Sequence, residues 1–162
     1  MTRSGPWLLA VVIIGAVLAR ADEPGPEAPK LSKEEQLVLD LTNEARAKEK
    51  LPPVKANAIL TKVARAHAAN CARQHKMEHV LDGQTPAQRV DKAGYDYRSV
   101  GENLAVAEKD ATTAKVVKSW MESQVHRDNV LSPKYDEIGL GLATDDKGQM
   151  YYVQVFGKLR SQ

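Results

Sequence analysis

The chain has 162 residues, with 23 Lys and Arg against 21 Asp and Glu, and 1 cysteine. That length favours one domain, and the near-balance of charge gives no long-range positive field to gather nucleic acid or anionic lipid. One cysteine excludes an internal disulfide framework, so the domain is held by its core alone, which a chain of this size can do.

Residues 1–21 read as a secretory signal peptide. Arg3 supplies the positive start, Trp7 to Ala19 is an apolar run, and Ala19-Arg20-Ala21 matches an A-x-A cleavage site. The run is shorter than the roughly 20 residues a spanning helix needs, so no stable membrane insertion is expected once it is removed. Its removal takes away Arg3 and Arg20 and no acid, leaving 21 charges of each sign. An exported domain without disulfides fits a bacterial protein that is secreted or held in the periplasm or cell envelope. Residues 22–31 carry Pro24, Pro26 and Pro29 and read as a Pro-rich linker.

Ser32-Lys33-Glu34-Glu35 has the form of a capping box. Leu37, Leu41 and Ala45 follow at helical spacing, and Leu51-Pro52-Pro53 ends that helix. Asn57 is placed to cap a second helix with the stripe Leu60, Val63, Ala64, His67, Ala68, Cys71 and Ala72. Many of these are small, which predicts close packing against that face. The second helix is expected to end near His79. Pro86 to Lys92 reads as a short helix closed by Gly94, and residues 97–107 as a strand. Thr112 or Thr113 opens a further helix with Val116, Val117, Trp120 and Met121 inward. Residues 137–157 form the clearest strand pair. Ile138, Leu140 and Leu142 point one way, Gly139, Gly141 and Ala143 the other, with a turn at Asp145-Asp146-Lys147-Gly148.

Three segments place titratable groups beside apolar or turn residues: Met77-Glu78-His79, Gly101-Glu102-Asn103 and Trp120 to Arg127, which contains His126. Two imidazoles and a carboxylate brought together by folding would hold a metal ion or move a proton. A competing pattern is the four-residue spacing of His67, Cys71, His75 and His79. On one continuous helix the first and last lie about 18 Å apart along the axis, so only neighbours in that ladder share an ion. A His/Cys pair is half of a zinc site, and no second cysteine completes it. Cys71 is therefore expected as a buried small hydrophobe, His67 as a hydrogen-bonded core histidine, and His75 as solvated.

Taken in order, Asn43-x-x-Arg46, the Ala-rich helix before His79, Gly101-Glu102-Asn103-Leu104-Ala105, Trp120-x-x-Ser123-x-x-His126-Arg127-x-Asn129-x-Leu131 and Tyr152 to Gly157 resemble the CAP superfamily. This is the superfamily of cysteine-rich secretory proteins, antigen 5 and pathogenesis-related proteins, also called the SCP domain. The likeness is to its cysteine-poor bacterial branch and runs from about Gln36 to Gly157. It implies an α+β fold, a three-layer α-β-α sandwich with a small antiparallel sheet between helical layers, over residues 32–160. It also implies a cleft lined by His79, Glu102 and His126. Members with a full tetrad carry a second glutamate three residues after the tryptophan, and Ser123 stands there in this chain. Glu122 is one residue short, about 100° away on a helix, and does not take that role.

The first functional expectation is a secreted binding module. Its cleft would hold a divalent cation, Zn²⁺ above all, on His79, Glu102 and His126, with Asn103 and Ser123 supporting it. A surface groove would take a lipid, peptide or cell-envelope ligand, and the domain would be a monomer. The second is a hydrolase or peptidase, zinc-dependent or metal-free, with Glu102 and His126 as its catalytic groups. The residues leave catalysis open and weigh against it: there is no H-E-x-x-H motif, no nucleophile elbow around Ser123, and Cys71 sits in an apolar stripe. The third is an interaction scaffold with a vestigial cleft.

Overall fold

A computed structural model describes Met1 and residues 29–160. Residues 2–28, which hold the rest of the expected signal peptide and most of the expected linker, lie outside the described residues. No helix among the described residues is long and apolar enough to cross a membrane.

The elements are α1 (Lys33–Lys48), β1 (Lys55–Ala56), α2 (Ala58–Gln74), α3 (Pro86–Lys92), β2 (Tyr97–Ala107), α4 (Thr113–Glu122), α5 (Gln124–Val130), β3 (Glu137–Thr144) and β4 (Met150–Leu159). The caps are those the sequence predicts. Ser32 and Glu35 close a reciprocal capping box on α1, Asn57 accepts two first-turn N–H groups of α2, and Thr112 caps α4.

The four strands lie in the order β1-β3-β4-β2. β3 and β2 both pair antiparallel with β4, while the two-residue β1, which the sequence reading did not foresee, joins β3 in parallel. Helices cover both faces. Strand alternation decides which face each side chain serves. Ile138, Leu140, Tyr152 and Phe156 pack with Val38, Val116, Val117 and Trp120 in the layer of α1, α4 and α5. Val153, Val155 and Leu104 pack with Leu60, Val63, Ala64 and Ala68 in the layer of α2 and α3. The result is the expected α-β-α sandwich.

The small face of β3 explains how α2 sits. A Cβ at Gly139 would overlap the backbone of Leu60, and one at Gly141 would overlap the backbone of Ala64. The helix therefore lies directly on the strand, as the run of small residues predicts.

Two expectations need correction. The buried seam of α1 is Glu35, Val38, Thr42 and Arg46, and Leu37 is exposed. Hydrogen bonding makes this polar seam tolerable. Glu35 accepts from Arg65, and Arg46 donates to the carbonyls of Pro52, Val130, Ser132 and Tyr135. Second, α2 ends at Gln74, not near His79. His75 takes the left-handed conformation (φ 52°) and caps the helix, so the chain turns back before His79.

Candidate functional site

The candidate site forms at β2, an edge strand of the sheet. An edge strand has a row of carbonyls without strand partners. Here Asn129 of α5 donates to the Glu102 carbonyl (3.2 Å) and the Trp120 indole of α4 donates to the Leu104 carbonyl (3.0 Å). These bonds draw the α4–α5 corner over the edge. From the other face, the segment after α2 folds toward the same edge, because α2 stops early.

Alternation along β2 then divides its side chains. Glu102 faces the α2–α3 layer and Asn103 faces α5. Gly101 beside them has no room for a side chain, since a Cβ there would overlap the Tyr135 hydroxyl. Asn103 is fully buried. It donates to the His126 carbonyl and the Gln154 side chain, each at 3.1 Å, and accepts from Asn129 at 2.9 Å. Gln154 continues the network to the Thr42 hydroxyl on α1. Asn103 thus fixes the backbone position of His126 relative to the sheet.

Glu102 is buried among cations and imidazoles. Its Oε1 accepts from His79 Nδ1 at 2.9 Å, and its Oε2 accepts from Arg89 Nη2 at 2.8 Å. His67 Nε2 lies 3.9 Å from Oε1 and 3.1 Å from the Glu78 carbonyl. Arg89 also donates to the carbonyls of His79 and Gln84, so one guanidinium joins α3, the loop carrying His79, and β2. Both oxygens of Glu102 are therefore engaged by protein groups. A carboxylate only accepts, so His79 carries a proton on Nδ1, and in the neutral ring its Nε2 is left with a lone pair. The His79 side chain is about half exposed, at 52%.

His126 comes from the opposite layer. Its Nδ1 lies 2.9 Å from the Ser123 hydroxyl. Ser123 is the N-cap residue of α5 yet makes no side-chain cap bond, because its hydroxyl is turned to the ring instead. Burial, and after it the neighbouring His79, push the His126 pKa below the ordinary histidine value. Among the described residues no protein group bonds Nε2 of either ring.

The structure thus brings His79 onto Glu102, and sets His126 on Ser123 with Asn103 holding its backbone. It does not gather the donor atoms of His79, Glu102 and His126 within 4.8 Å of one another. Two neighbours were not singled out as site residues in the sequence. Arg89 lies 13 positions before Glu102 and on a separate helix, and only the general need of a buried carboxylate for a cation pointed to such a partner. His67 is the predicted core histidine, at 2% exposure, but it is also a wall of the Glu102 pocket. Burial lowers its pKa, with Glu102 opposing. Cys71 is buried, its thiol pKa is pushed up by desolvation, and it is no nucleophile. His75 is not simply solvated, since it contacts Asp145 and Asp146.

Comparison with known proteins places these features in context. Residues 39–156 match the model of the family described as CAP, cysteine-rich secretory protein family. The uncharacterized protein YkwD of Bacillus subtilis (strain 168) is 33% identical over 129 residues, covering 79% of this chain and 49% of its own length. The chain thus spans about half of that relative. An uncharacterized protein of Borreliella burgdorferi is 30% identical over 71% of this chain and 72% of its own length. Among solved structures, an outer surface protein of Borrelia burgdorferi superposes with a TM-score of 0.74 at 24% identity, covering 82% of this chain and 97% of that one. An extracellular SCP-domain protein of Bacillus anthracis gives a TM-score of 0.70 at 21% identity, over 81% of this chain and 45% of that one.

Proposed function

Because the chain belongs to the cysteine-rich secretory protein (CAP) family, we propose that it is an exported binding module whose edge cleft takes a divalent cation, Zn²⁺, on two imidazoles. The observation that carries this reading is the pair of Nε2 atoms, one on His79 and one on His126, left without protein partners while each Nδ1 is held. That is the usual dress of a metal-binding histidine, whose second ring nitrogen is tied to a carboxylate, carbonyl or hydroxyl.

In this reading the two imidazoles bind the ion and solvent or ligand completes its coordination. Glu102 changes role from the sequence expectation. With both oxygens engaged, it orients His79 as an outer carboxylate and does not ligate. Ser123 does the same for His126, and Asn103 sets the backbone of α5. Bound zinc would supply a Lewis-acidic centre with open positions. The chain's own groups would hold that centre between the two helical layers.

A groove of about 340 Å³ between α2 and α3, lined by Val63, Ala66 and Ala93 and rimmed by Lys62, Arg89 and Lys92, abuts the Glu102 pocket. Its size is that of small-ligand sites, and it is the surface on which a lipid, peptide or envelope ligand would rest. Export and envelope residence follow from the signal-like start and agree with relatives described as extracellular or outer-surface proteins. The domain would act as a monomer without nucleic-acid partners. A hydrolytic reading gains the Ser123–His126 contact, but among the described residues no carboxylate bonds that ring, and both Glu102 oxygens are already engaged. Calorimetric titration of zinc into the wild-type protein and the His79→Ala/His126→Ala variant tests the proposal. One binding event present in the first and absent from the second is expected. Identical isotherms reject it.

A further inference from the structure

Away from the cleft, the end of α2 meets the β3–β4 turn, and His75 comes to rest between two carboxylates. Its Nδ1 lies 3.0 Å from Asp145 Oδ2, and its Nε2 lies 3.4 Å from Asp146 Oδ1. The Asp145 side chain is withdrawn from solvent, and its other oxygen accepts the backbone N–H groups of Lys147 and Gln149 at 2.9 and 2.8 Å. Asp145 is therefore fixed by its own turn, and through Oδ2 it holds the His75 proton on Nδ1. In the neutral ring the Nε2 lone pair then faces the oxygen of Asp146.

Two such electron-rich atoms need positive charge between them, either a second proton on the ring or a metal ion. The 3.4 Å separation is longer than the 2.7–3.2 Å of N–H···O hydrogen bonds. It does match the edge of a tetrahedral ion: zinc–nitrogen and zinc–oxygen bonds of about 2.0–2.2 Å place two ligands roughly 3.3–3.5 Å apart. One donor atom from each of His75, Asp145 and Asp146 lies within 4.8 Å of the other two, the only such three-residue set among the described residues. They border a groove of about 370 Å³, which leaves room for the waters a partly exposed ion needs. Arg73, the cation in the same groove, is turned to Asn70 on its own helix.

We propose that His75 Nε2 and Asp146 Oδ1 ligate a second divalent cation of the zinc class, with Asp145 as the outer carboxylate that aims the imidazole. A nitrogen and a carboxylate oxygen at a tetrahedral edge favour zinc over calcium or magnesium, which take oxygen ligands. The ion would tie the end of α2 to the β3–β4 turn, independently of the cleft.

Long-range ¹H–¹⁵N spectra of the purified protein, following the histidine ring nitrogens as zinc chloride is added, test this. The His75 signals are assigned by their loss in His75→Gln. In the His79→Ala/His126→Ala background, zinc is expected to move the His75 Nε2 resonance while Nδ1 stays protonated. Asp146→Asn is expected to weaken that response at least tenfold, and calcium chloride to leave it unmoved. Ring nitrogens unmoved by millimolar zinc, an equal response in Asp146→Asn, or a calcium response in place of zinc would each overturn the proposal. The wild-type spectrum gives the same readout at His75 should the double variant not fold. Because the cleft histidines are absent from that background, failure here and failure of the cleft site are separate results.

Discussion

Arg89 and Glu102 form the most demanding contact in the molecule. The Glu102 side chain is 1% exposed and the Arg89 side chain 10%. Removing one partner of such a pair strands the other charge away from water, at a cost of about 3–5 kcal/mol. Arg89→Met is expected to lose stability at the lower end of that range in urea denaturation, since His79 still faces the carboxylate. It also frees the loop that Arg89 grips at His79 and Gln84. Buried His67 and half-buried His126 set the pH response. His67 and His126 are both held below the ordinary value of 6.5, chiefly by burial. As pH falls through that value the unfolded chain takes up protons first, so stability declines from there downward and is unaffected well above it. The urea midpoint is expected to drop between pH 7.5 and pH 5.5, with a shallower drop in His67→Gln; a midpoint that rises over that interval would contradict the assignment. At this scale the sequence was only partly informative. His79, Glu102 and His126 stand out because each breaks an apolar or turn context. Arg89 looks like any helix-surface arginine until the fold turns it inward. The likeness of His67 to a core residue hid its second role, because one buried face serves both packing and the carboxylate pocket.

At the scale of elements, the caps and the strand pair were readable because each is local. Ser32, Asn57 and Thr112 cap through neighbours within three positions, and the alternation of β3 is written in six consecutive residues, 138–143. The end of α2 was not readable in this way. His75 adopts a left-handed cap that glycine or asparagine usually fills, and the four-residue ladder from His67 to His79 imitates one continuous helix. That early stop is what allows His67 and His79, about 18 Å apart along such a helix, to face the same carboxylate. The α2–β3 contact supplies the sharpest test here. Gly139→Ala would drive a methyl group into the Leu60 backbone, where no side-chain rotation relieves it. Overpacking of this kind costs about 1–3 kcal/mol or more. Gly139→Ala is expected to lower the thermal midpoint strongly, while Gly83→Ala, where a Cβ meets nothing within 4 Å, costs only the strain of its positive φ. Equal losses at both positions would show that α2 does not rest on the strand as described.

At the scale of the whole molecule, the sandwich explains why the cleft lies where it does. Because β2 is an edge strand, both helical layers reach around it, and each contributes one imidazole. Neither His79 nor His126 is near the other in sequence, so only the order of motifs across the chain, not any local pattern, points to a shared cleft. The same order fixed the layers correctly but was silent on the two-residue β1, too short to leave a periodic signal. It was also silent on how far Glu102 would be committed to protein partners. The proposed cation site requires His79 and His126 to hold one ion between the layers. Anomalous diffraction at the zinc edge, from crystals grown with zinc, tests it most directly. A peak is expected about 2.0–2.1 Å from Nε2 of both rings, with Glu102 still on His79 Nδ1. A cleft without a peak, or a peak bonded to one ring alone or directly to Glu102, would contradict it.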